Sequence, residues 1–237
     1  MNTRHMMRVI ARKEITNIRR NKGLLVAGLY VGGLFGVLNV LLSGHVSAMN
    51  NTVFSTALLV GVFVGYSFSG QVFLREKREK VIETLLCTPL SLKAIWLGKV
   101  VGATVPAYLF SLLSVSLVIL VSNRITPSLL LPSIPVLIHV FGVVPVFIAS
   151  TISAIGLGQF LLGMGENKIM GFLIVGLLLP FMYPSILGGL LRGEMGSVVS
   201  WLDVGSCLIA AVLLLAFTTY ASRYLNKEKI VTTLLAD

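Results

Sequence analysis

Apolar residues fill this chain in long blocks, and charge interrupts them at only a few places. Positions 23 to 74 hold no Asp, Glu, Lys or Arg, and positions 100 to 165 hold only Arg124. A helix crossing a hydrocarbon core of about 30 Å takes about 20 apolar residues, so each block has room for two. The first block divides at an uncharged connection into spans at about 23–42 and 53–74. The second divides at a loop carrying Arg124, Pro127 and Pro132, giving spans at about 100–121 and 134–162. Pro135 and Pro145 predict a kink or break near the start of the fourth span, because proline donates no N–H and its ring clashes with the preceding turn. A tight turn at Gly163 to Lys168 leads to a fifth span from Ile169, and a sixth is predicted at about 204–220. Between these two, residues at about 181–201 hold too many Gly, Pro and charged positions to cross cleanly. They predict a re-entrant or interfacial excursion, covered by protein or facing water.

The one long polar interruption runs from Arg75 to Lys99. Val81, Ile82, Leu85 and Leu86 fall at helical spacing behind a fully charged start, and Arg75 with Glu79 and Glu76 with Lys80 sit at i, i+4. Pro89 ends this short amphipathic helix and pushes Thr88 out of the α region. Ser91 is then placed to cap a new helix from Leu92 that runs into the membrane. The polar stretch is a rigid handle between two spans, or else an ordinary solvated charge run.

The first 22 residues carry seven basic residues and one acid, with Met7, Ile10, Ala11, Ile15 and Ile18 at helical spacing. This predicts an interfacial amphipathic helix with its apolar stripe among lipid headgroups, or a basic leader that only fixes orientation. Glu14 falls close to the apolar stripe and calls for a polar partner. Val46-Ser47-Ala48 resembles a cleavage site, but the apolar run before it is too long for a signal peptide, so the first span is taken as uncleaved. Gly28, Gly32 and Gly36 repeat every four residues in span one, and Gly61 and Gly65 do so in span two. Such small faces let another helix approach, either within the subunit or across a dimer.

Composition agrees with this pattern: 56% of the 237 residues are hydrophobic and 12% charged, and the mean hydropathy is +0.93. A soluble chain has about 25% charged residues. The net charge of +10 comes from basic residues flanking apolar segments, where they set topology and meet lipid headgroups; nucleic acid is not an expected partner. Under the six-span layout 17 Lys and Arg fall on one side and 2 on the other, which puts both termini and the 75–99 stretch in the cytoplasm. Cys87 and Cys207 fall at different levels of that layout, so no disulfide is expected.

The run from Phe73 to Lys99, with its charged start followed by IETLL, TPLS and GK, resembles the permease subunit of type-2 ATP-binding-cassette exporters. Val81 stands where relatives often carry Gly. The resemblance implies an all-α integral membrane protein of six transmembrane helices, with a cytoplasmic coupling helix between spans two and three. It implies one transmembrane domain: interfacial helix 1–22, spans 23–74, coupling segment 75–99, spans 100–162, spans 163–224 with the re-entrant part, and a cytoplasmic tail 225–237. Glu76, Glu83, Thr84, Leu85, Leu86 and Pro89 would carry docking on a separate ATPase subunit, which binds the ATP and Mg. A second permease subunit, identical or related, would complete the path in the plasma membrane of a prokaryote.

The chain's own chemistry is sparse. There is no GxxxxGK[ST] phosphate loop, no HExxH, no GxSxG and no Cys/His cluster, so no cofactor is expected in this chain and it is not expected to be an enzyme by itself. No acid lies in the middle of a span, where ion-coupled carriers keep them. His139 and Gln159 lie in span four; a buried His there is a hydrogen-bonded packing residue or, less simply, a ligand with a transport or metal role. Energy must then enter through the polar handle from a partner. The alternative is a membrane scaffold or assembly factor whose handle recruits a soluble protein.

Overall fold

A computed structural model describes residues 3–43, 49–75, 79, 91–125, 131–161, 171, 174, 176 and 199–224. The described chain is helical, with no strand among these residues. The α-helices with described bounds are, in order, α1 (Thr3–Arg20), α2 (Lys22–Ser43), α3 (Met49–Ser69), α4 (Leu92–Ile125), α5 (Ile134–Ile138), α6 (Val144–Leu161) and α7 (Trp201–Ala221). A π-helical turn, Gly70–Leu74, extends α3, and a second, His139–Val143, joins α5 to α6.

Among the described residues four helical stretches are long and apolar enough to cross a membrane: Met49–Leu74, Leu92–Arg124, Ile134–Leu161 and Trp201–Ala221. This is an all-helical protein of membrane-spanning character. Helix α2 adds 22 residues, Lys22–Ser43, of which Lys22–Val37 form a shorter apolar helix. The predicted fifth span, the excursion at about 181–201 apart from its last three residues, and the tail from 225 lie outside the described residues.

The elements start and stop for local reasons. Asn21 separates α1 from α2, and its side-chain oxygen accepts from Leu24 N–H at 3.3 Å, capping α2. Ser91 does the same for α4, its hydroxyl accepting from Ala94 N–H at 3.3 Å, as the sequence predicts. Ser200 N–H donates to Asp203 Oδ2 at 2.7 Å across the first turn of α7, so the acid at the mouth of the last span is part of a cap. Pro145 follows the second π turn, where Val144 N–H reaches back to the His139 carbonyl. The wider turn absorbs the proline ring, so this span changes register where a kink was predicted, without breaking.

Helix α3 occupies the centre. Val53, Phe54, Ala57, Leu58 and Val60 are fully buried, and α2, α4 and α6 surround them. Close approach rests on the predicted glycines. A methyl on Gly28 would lie 3.2 Å from the Phe110 ring, Gly32 faces Ser114, and Gly36 faces Val118, so that face meets α4. Gly61 and Gly65 seat Ile148 and Ile152 of α6. Both small-residue faces are thus filled from within the chain. Polar bonds tie the same helices: Ser111 hydroxyl donates to the Ala57 carbonyl at 2.6 Å, and Tyr108 hydroxyl to the Val140 carbonyl at 3.2 Å. Outer faces are apolar and exposed, as on α4 (Val101, Val105, Leu109, Leu113) and α7 (Ile209, Val212, Leu213, Phe217). Exposed apolar area this continuous belongs against lipid or another helix.

Helix α1 departs from expectation. Its stripe does not simply face headgroups: Ala11, Glu14 and Ile18 are buried, and the helix lies along the first turns of α4. Gly98 and Gly102 make this possible, since a methyl there would lie 2.8 Å from Ile10 Cβ and 2.7 Å from Glu14 Cβ. The 33 residues from Leu92 to Arg124 make a helix of about 50 Å, against a core of about 30 Å. About four turns are surplus, and α1 covers the first of them.

Candidate functional site at the root of the polar segment

Three elements meet where the polar interruption leaves and re-enters the bundle. Lys99, two turns into α4 and 1% exposed, points its ammonium between α1 and the π turn that ends span two. Its Nζ donates to the Val72 carbonyl at 2.5 Å and lies 3.8 Å from Glu14 Oε1. The same nitrogen sits 5.4 Å from the centre of the Phe73 ring. A π turn is where the backbone ladder changes register, and a side-chain donor satisfies a carbonyl at that change. The polar partner that Glu14 called for is therefore Lys99, 85 residues later in the sequence, with the neighbouring Lys13 Nζ also 3.7 Å from Oε1.

Such a pair must be made completely or not at all. Withdrawing both charges from water costs several kcal/mol each, which the mutual attraction, the carbonyl and the ring face offset together. Trp96, fully buried one turn before Lys99, packs into the same region of the core. Lys99 thereby ties the helix entering the polar segment to the helix leaving it, and α1 to both.

A cleft of about 410 Å³ opens beside this junction. Lys13, Asn17, Arg20 and Asn21 of the α1 flank face Gln71, Arg75 and Glu79 across it. Arg75 Nε donates to Glu79 Oε1 at 2.7 Å, the i, i+4 pair expected from the sequence, and Glu79 N–H donates to the Arg75 carbonyl. The side-chain hydrogen bond to Glu79, and then the charge of that carboxylate, raise the Arg75 pKa above its ordinary value, so the guanidinium stays charged. The cleft is lined by cations, amides and the carboxylates of Glu14 and Glu79 at the base of the segment.

The six predicted docking residues, Glu76, Glu83, Thr84, Leu85, Leu86 and Pro89, lie outside the described residues, as does Cys87. Cys207 is buried and forms no disulfide among the described residues. His139 opens the second π turn, fully buried and stacked on Phe54 with ring centres 3.7 Å apart, which is a packing role. No group of three or more His, Cys, Asp or Glu able to hold a metal occurs among the described residues. Sequence reasoning placed Lys99 in a motif but not in a buried pair; an acid on an apolar stripe and a lone lysine at the start of an apolar block were the available signals.

In comparisons with known proteins, no protein-family model and no curated protein matched this chain.

Proposed function

We propose that the chain is the permease subunit of an ATP-driven exporter and that the polar segment receives force from a separate ATPase subunit. The observation that supports this most is the clamped root of the segment. Lys99 joins both helices that bracket residues 76–90, so a push on the segment reaches α1, α3 and α4 as one unit. A loop that only recruited a soluble protein would have no need of a buried ion pair beneath it. In this reading two such chains enclose a path, and two ATPase subunits close on ATP and Mg and drive the segments. Glu76, Glu83, Thr84, Leu85, Leu86 and Pro89 form the contact. The membrane is the plasma membrane of a prokaryote, with the segment and both termini in the cytoplasm.

The test is reconstitution with an ATPase subunit that carries GxxxxGK[ST] and is encoded beside this chain. The isolated chain is expected to hydrolyse no ATP, and the complex to hydrolyse it. Glu83→Gln removes a charge at nearly constant shape and should leave the complex assembled while hydrolysis no longer drives transport. Leu85→Ala should weaken assembly by about 2 kcal/mol if its side chain is buried in the contact. Wild-type assembly, hydrolysis and transport in both variants would reject the coupling role and favour the scaffold.

A further inference from the structure

A second recess lies on the opposite flank of α1. It encloses about 310 Å³ between α1, α2 and α4. Its floor is Ile18 and Pro106, both buried, and its outer wall is Leu109 and Leu113, 60% and 44% exposed. Phe110 and Leu25 close the end, and Arg19 is the one charged residue in the lining. The crevice is therefore apolar inside, open on the side where α4 presents its exposed leucines, and headed by a cation.

The surface above it is basic. At 100° per residue, Arg8, Arg12, Ile15 and Arg19 fall within a sector of about 60° on α1. All three arginines are exposed, and none has an acidic partner among the described residues. The only acid of α1, Glu14, is turned away to Lys99. The junction cleft uses the other flank, Lys13, Asn17 and Arg20, so this row serves no contact described above.

We propose that the crevice binds one anionic phospholipid, with the start of an acyl chain between Ile18 and Leu113 and the phosphate on Arg19, supported by Arg12. This rests on the reading that α1 lies on the cytoplasmic side. Charge complementarity selects the occupant: anionic lipid gathers at that surface, and unpaired arginines attract it. A zwitterionic lipid would fill the crevice equally well but gain little from the row. A second copy of this chain would have to bring its own acids to three arginines.

The experiment is native mass spectrometry of the purified chain in mild detergent, titrated with phosphatidylglycerol or phosphatidylcholine of identical chains. Wild type is expected to retain one phosphatidylglycerol in preference. Arg19→Gln, at an exposed position that the fold does not use, should weaken phosphatidylglycerol about fivefold and leave phosphatidylcholine unchanged. Leu113→Trp, which fills the crevice, should weaken both. Dioctanoyl phosphatidylglycerol should bind less well than the long-chain lipid, which tests the crevice even if the tryptophan variant does not fold. Equal retention of the two headgroups by wild type, or an unchanged preference in Arg19→Gln, would overturn the proposal. Displacement by inorganic phosphate irrespective of chain length would mark a free-anion site, and a lipid-free dimer would mark a protein contact; either overturns it. None of these readouts involves ATP, so failure here leaves the coupling reading standing.

Discussion

Glycines along α2 and α3 have opposite surroundings at nearly equal spacing, and this gives a test at single-residue resolution. A Cβ at Gly61 would lie 2.8 Å from Ile148 Cγ1, whereas one at Gly33 meets nothing within 4 Å. Gly61→Ala is expected to destabilise by about 1–3 kcal/mol through overpacking. Gly33→Ala should stabilise by up to about 1 kcal/mol through backbone entropy. Thermal unfolding in detergent should show midpoints moving in opposite directions. The buried pair makes a sharper prediction. Lys99→Met leaves the buried Glu14 carboxylate with the half-exposed Lys13 as its charged partner among the described residues and should cost about 3 kcal/mol, while adding Glu14→Gln should recover part of that loss. A double-mutant cycle by unfolding measures it, and strictly additive losses would mean the two side chains do not interact.

At the level of the element, the cap at Ser91 was legible and register shifts were not. Ser91 lies two residues after Pro89 and precedes an apolar run, so its role could be read directly, and Ser91→Ala should cost α4 about 1 kcal/mol while Ser91→Asp keeps most of it. Differential unfolding of the two variants checks this. Pro145 announced a disturbance in span four, but a proline does not say whether a helix will bend, break or widen, since neighbours decide which carbonyls find donors. The turn at Gly70–Leu74 had no proline to announce it; within it the Val72 carbonyl accepts from a lysine of another helix. Helix α1 was legible as amphipathic, and the partner of its apolar stripe was not. Periodicity gives the width of an apolar face, but lipid and protein satisfy it alike. Only Glu14 marked the difference.

Across the whole molecule, alternation of apolar blocks with basic flanks announced a helical membrane protein, and four spanning helices agree with it. The six-span layout makes a topology prediction. On a background lacking Cys87 and Cys207, single cysteines near Ser47 and Arg192 should label from outside, and one near Lys80 only after permeabilisation. Labelling of the Lys80 position from outside would overturn the six-span orientation. The candidate site was legible in one dimension only. The charged run and its flanking signals could be read, but Glu14 and Lys99 lie 85 residues apart, so each marked itself as out of place and neither named the other. That separation also has a consequence for biogenesis. At synthesis rates of about 5–20 residues per second, α1 emerges roughly 4–17 s before the lysine that neutralises it. During that interval Glu14 must stay in water or at the bilayer surface. Insertion of α4 then draws α1 onto the bundle; until then the adjacent Lys13, 3.7 Å from Glu14 Oε1 in the folded chain, is the cation at hand for this acid.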